Sequence, residues 1–157
     1  MKKVFVVLVV LLLSASFAVA DELAIGLRGS YLGSGGGASL RFEKDVEAIL
    51  GVNVNGFTLI GLWENHYTLT DDVPDLTWFW GIGGHLGLYD SGENSPGLWT
   101  NLKTNIGLDA IAGLEYSFAS LIDVPLSLSI DYKPALNILG GLKLNWLCGA
   151  FTLRYTF

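Results

Sequence analysis

From Leu23 onward, apolar residues return at every second position, one segment after another. In LAIGLRGSY, Leu23, Ile25, Leu27 and Tyr31 share one face, and Ala24, Gly26, Arg28 and Ser30 the other. A period of two is that of a β-strand, whose successive side chains point to opposite faces. The next segment repeats it, with Ala38, Leu40 and Phe42 against Ser39, Arg41 and Glu43. After a turn at Lys44-Asp45, Ala48, Leu50, Val52 and Val54 oppose Glu47, Ile49, Gly51 and Asn53. Asn55-Gly56 then predicts a two-residue hairpin.

Five further segments follow. FTLIGLWENHY is mixed: Phe57, Leu59, Trp63 and Tyr67 share a face, while Ile60 and Leu62 fall with Thr58, Glu64 and His66. Trp78, Trp80, Ile82, Leu86 and Leu88 oppose Gly81, Gly83, His85 and Gly87. Ile106, Leu108, Ala110, Ala112, Leu114 and Tyr116 oppose Asn105, Gly107, Asp109, Gly113 and Glu115. PLSLSIDYK sets Leu126, Leu128, Ile130 and Tyr132 against Ser127, Ser129, Asp131 and Lys133. In GAFTLRYTF, Phe151, Leu153, Tyr155 and Phe157 alternate with Thr152, Arg154 and Thr156. The pattern therefore predicts eight strands.

The first twenty residues are different in kind. Two lysines precede an unbroken apolar run from Val4 to Leu13, and Ala18-Val19-Ala20 fits the A-x-A rule for a secretory signal peptide. The alternative, a membrane anchor, needs roughly 20 apolar residues, and this run is shorter. Domains are accordingly expected as a signal peptide over 1–20, cleaved between Ala20 and Asp21, and one β domain over 21–157.

Composition removes several classes of function. Without the two signal lysines, the chain carries seven basic against fifteen acidic residues, a formal charge of −8. Nucleic acid is therefore not an expected partner. The single cysteine, Cys148, cannot form an internal disulfide and reads as a small apolar filler. With two scattered histidines it gives no recognisable metal set, and no cofactor is expected.

Eight strands of roughly nine to eleven residues joined as hairpins suit a small barrel crossing an outer membrane. A sheet in lipid must close on itself, because hydrocarbon offers no partner for an open edge. The expected class is all-β: an eight-stranded antiparallel up-and-down transmembrane β-barrel, preceded by a cleaved signal peptide. The apolar faces would then meet lipid and the polar and glycine faces the lumen. Tyr31, Trp78, Trp80, Tyr89, Tyr116, Tyr132 and Phe157 fall near strand ends, where interfacial girdles form. A soluble lipocalin-like barrel is the alternative, and it would reverse the faces.

The A-x-A signal, the stretch GLEYSF to PLSLSIDYKPALN and the terminal LRYTF resemble the small eight-stranded outer-membrane barrels, the group that includes OmpX and the transmembrane domain of OmpA. The resemblance covers the whole mature chain. It implies an outer-membrane location, lipid as surroundings, a monomer, and capture of the last strand by the barrel-assembly machinery through Phe151, Leu153, Tyr155 and Phe157. It also implies termini on the periplasmic side. The connection from Asp90 to Thr104 then lies outside, while TLTDDVPDL is long for a periplasmic turn.

An eight-stranded lumen is just wide enough to be filled by side chains. Arg28, Arg41, Glu43, Glu47, Glu64, His66, His85, Asp109, Glu115, Asp131, Lys133 and Arg154 are expected inside, as an ion-paired network that plugs it. An ion or proton path is the rival reading, as a narrow pore or a conduit for hydrophobic solutes. A lipid-A-modifying enzyme is a further alternative. It needs a serine beside a histidine and a carboxylate, and no serine adjoins His66 or His85 in the sequence. The expected protein is therefore non-enzymatic, with no catalytic residue and a role in envelope integrity or surface contact.

Overall fold

A computed structural model of the chain describes residues 22–32, 35–54, 56–90, 102–139 and 141–157. The cleavage residues Ala18, Ala20 and Asp21, and most of the 90–104 connection with Glu93 and Trp99, lie outside the described residues. The strands are β1 (Leu23–Leu32), β2 (Gly36–Phe42), β3 (Val46–Asn53), β4 (Gly56–Thr70), β5 (Val73–Asp90), β6 (Leu102–Ser117), β7 (Leu126–Tyr132), β8 (Ala135–Leu139), β9 (Lys143–Asn145) and β10 (Gly149–Thr156). A one-turn helix, α1 (Ala119–Ile122), precedes β7.

Strands β1 to β7 pair in sequence, and β10 joins β7 to β1, so the ring closes with eight antiparallel staves. β8 and β9 are not extra staves. β8 continues β7 past Lys133-Pro134 along the same strand β6, and β9 pairs antiparallel with β8. Proline cannot donate to a ladder, which accounts for the break at that point. One end of the barrel carries the connections β2–β3, β4–β5 and β6–β7 (the turn end). The opposite, loop end carries the connections β1–β2, β3–β4, β5–β6 and β8–β9.

Alternation decides the faces. Leu27, Trp63, Ile82, Leu108, Leu128 and Leu153 stand exposed on the outside, Leu27 by 73%. Arg41, Glu47, Asp109, Asp131 and Arg154 are buried inside. A soluble barrel has the opposite polarity. Aromatic pairs lie toward the turn end, Tyr67 stacked on Trp78 at 5.0 Å and Tyr155 edge-on to Phe157 at 4.9 Å.

Four expectations change. Glu43 is not a lumen residue: the chain turns there, with φ of 53° at Glu43 and 66° at Lys44, and its side chain is exposed. The long periplasmic connection vanishes, because β4 and β5 run on to Thr70 and Val73, leaving Asp71-Asp72 as the turn. Gly56 belongs to β4 and pairs with Asn53, so it is a strand residue and not, as predicted, the second residue of the β3–β4 turn. Tyr89 leaves the girdle and turns inward, its hydroxyl 2.5 Å from Thr58 Oγ1.

Candidate functional site: the barrel interior

The lumen is built from side chains that neighbouring strands deliver at matching heights. β1 and β10 place Gly26 opposite Arg154. A Cβ on Gly26 would stand 2.6 Å from Ser39 Oγ and 2.8 Å from Arg154 Cγ, so only glycine leaves room for the arginine shaft. Gly113 does the same for Phe79, whose Cζ would lie 2.6 Å from an added Cβ. The inward glycines and the large side chains are thus complementary halves of one filling.

Arg154 sits at the centre, with no solvent exposure. Its Nη2 donates to Glu47 Oε1 at 2.6 Å, and its Nη1 donates to Glu115 Oε2 at 2.7 Å and to Ser129 Oγ at 2.8 Å. Arg41 donates to both oxygens of Glu115, at 2.7 and 2.8 Å, a bidentate geometry that suits the planar guanidinium. Arg28 donates to Asp131 Oδ1 at 2.5 Å and to Thr152 Oγ1 at 3.0 Å. His66 lies 3.2 Å from Glu64 Oε2 and stacks on Phe79 at 5.0 Å.

A second cluster lies nearer the loop end. Asp109 receives Lys133 Nζ and, at 2.6 Å, His85 Nδ1, while His85 Nε2 is 3.0 Å from Asn137 Oδ1. Of the twelve residues expected in the lumen, these two clusters bring together eleven, and Glu43 stands apart. Sequence reasoning passed over Phe79, Ile111 and Asn137. Phe79 and Ile111 join Ile49, Ile60 and Leu62 in a buried apolar cluster. Phe79 and Ile111 share parity with Gly81 and Asp109, the signal that could have placed them.

Among the described residues, a cavity opens on this filling at each end. That at the loop end, about 270 Å³, is bordered by Arg28, Tyr89, His85, Lys133 and Asn137. That at the turn end, about 370 Å³, is bordered by Arg41, His66, Glu115, Ser127 and Thr156. Arg154, Glu47, Glu64, Ser129 and Thr152 are fully buried and border neither, which makes them the layer between the two.

Removing one partner of a buried ion pair leaves a charge with neither water nor counter-ion. Arg154→Met keeps an unbranched shaft against Gly26 and removes the charged head. Urea unfolding of the detergent-solubilised barrel should show a loss of about 3 to 5 kcal/mol. A midpoint equal to that of the parent would mean that water already solvates Glu47 and Glu115.

No family model matches the chain, and no curated protein sequence does. Among solved structures, the chain is similar to the N-terminal β-barrel domain of Pseudomonas aeruginosa OprF. The TM-score is 0.61 at 15% identity, covering 88% of this chain and 98% of that one. Neisserial surface protein A aligns with a TM-score of 0.46 at 15% identity, over 87% of this chain and 94% of that one. The closed ring, the outward apolar belt and the likeness to the OprF domain together make the fold that of the small eight-stranded outer-membrane β-barrels.

Proposed function

We propose that the protein is an integral, non-enzymatic barrel of a Gram-negative-type outer membrane, plugged at mid-height and serving envelope integrity or surface contact. The observation that carries this reading is Arg154, fully buried between Glu47 and Glu115 in the layer that separates the two cavities. The outward belt of leucine, valine, isoleucine and tryptophan supports lipid as the surroundings. Both histidines are held by the filling: His66 by Glu64 and Phe79, His85 by Asp109 and Asn137. This favours a packing role for them over hydrolysis.

Cells lacking the protein should become more sensitive to detergents and bulky antibiotics. Expression of a His66→Asn/His85→Asn variant that still folds, checked by its gel mobility with and without boiling, should restore resistance fully. A folded double variant that fails to restore it would argue for histidine chemistry.

We further infer that the barrel-assembly machinery reads the outward row Phe151, Leu153, Tyr155 and Phe157. This row lies along and just past β10, the strand that closes the ring against both β1 and β7. Deleting Phe157 should lower the amount assembled in cells yet leave refolding from urea into detergent nearly intact, since one exposed aromatic contributes only about 2 kcal/mol of burial. Equal losses in both assays would make its role structural.

A further inference from the structure

Charge counting in the cluster around Arg154, the central layer together with the pairs that flank it, leaves one carboxyl without a cation. Arg28, Arg41 and Arg154 are the guanidinium groups there, and they face Glu47, Glu64, Glu115 and Asp131. Lys133 does not help, because it pairs with Asp109 in the other cluster. An uncompensated charge at a fully buried position is costly, so the cluster is balanced by taking up one proton.

The geometry says where. Glu47 spends Oε1 on Arg154, and Glu64 has Oε2 against His66. Their remaining oxygens, Glu47 Oε2 and Glu64 Oε1, are buried and meet no donor among the described residues. The β3–β4 register sets Glu47 opposite Leu62, so Glu64, two residues further along the same inward face of β4, is its diagonal neighbour, within reach of a side chain of that length. Two ionised carboxylates cannot hydrogen-bond, whereas an acid and a carboxylate can. A proton on His66 would balance the charge equally, but it would leave both of those buried oxygens without a donor.

We propose that Glu47 and Glu64 form a buried proton-binding site, one proton being held between Glu47 Oε2 and Glu64 Oε1 and exchanged with the turn end through His66. The groups around it are Arg154 from β10, which also holds Glu115 from β6, Arg41 from β2, Arg28 from β1 with Asp131 from β7, and His66 beside it on β4. From β5 the neighbour is uncharged Phe79, on which His66 stacks. His66 borders the turn-end cavity and touches Glu64, so it joins the pair to water on that side. On the loop-end side, Ile49 and Ile60 of the apolar cluster border the other cavity.

Infrared spectra of the detergent-solubilised protein, with glutamate carbon-13 labelled, read this directly. At neutral pH the parent should show the C=O stretch of one protonated glutamate, and Glu64→Gln should lack it. Glu64→Gln should keep a urea midpoint near that of the parent, because the carboxamide N–H donates to Glu47 Oε2 as the acid O–H does. Glu47→Gln should also lose the band and should unfold earlier, because it weakens the partner of Arg154.

Linkage gives an independent readout. The folded state holds a proton that the unfolded carboxyls release above their ordinary range, so stability falls as pH rises while the proton stays bound. The unfolding constant of the parent should grow about tenfold more per pH unit than that of Glu64→Gln. His66→Phe should keep the band and slow its shift on transfer to D₂O. No protonated-glutamate band in the parent, or a band surviving in both glutamine variants, would overturn the site. An unchanged exchange rate in His66→Phe would overturn the route.

Discussion

In hydrocarbon every backbone N–H and C=O must find its partner within the protein. Eight staves meet that demand only by closing, and β10 does so by pairing with both β1 and β7. Closure at this strand number also sets the width of the lumen, which is too narrow to hold a wide water column. The interior is therefore a packing problem, and any charge admitted to it must be matched there. The ion pairs of Arg154, Arg41 and Arg28 follow from the ring as much as from the residues themselves.

The filling has two materials. Ile49, Ile60, Leu62, Phe79 and Ile111 pack as an apolar cluster contributed by β3 to β6. The guanidinium groups come from β1, β2 and β10 and reach across to Glu47, Glu115 and Asp131. Glycines at 26 and 113 let the largest members of each set lie close to the wall. A chain with every inward residue small would leave a wet bore. One with every inward residue large would not close.

Much of this was legible in the sequence because the signal has a period of two and the lumen faces it directly. Parity alone put Arg28, Arg41, Glu47 and Arg154 inside. It failed at Glu43, where alternation carries on in the numbering while the backbone has already left the strand, Asp45 N–H donating to Phe42 C=O at 3.2 Å. It also failed along 68–76, where three aspartates and Pro74 resemble a loop. There the β5–β6 ladder ends at Leu76 and Tyr116, so Pro74 sits where that ladder asks for no donor. Pairing partners were not legible at all. Arg154 and Glu47 are 107 residues apart, and only the ring brings them together.

Whether this layer seals the barrel is best tested by current. The purified protein, refolded and inserted singly into a planar lipid bilayer, should be electrically silent at both polarities, because a fully buried Arg154 bridges carboxylates of opposite walls between the two cavities. A steady ohmic conductance from the intact barrel would contradict the plug and show a continuous water path past Arg154.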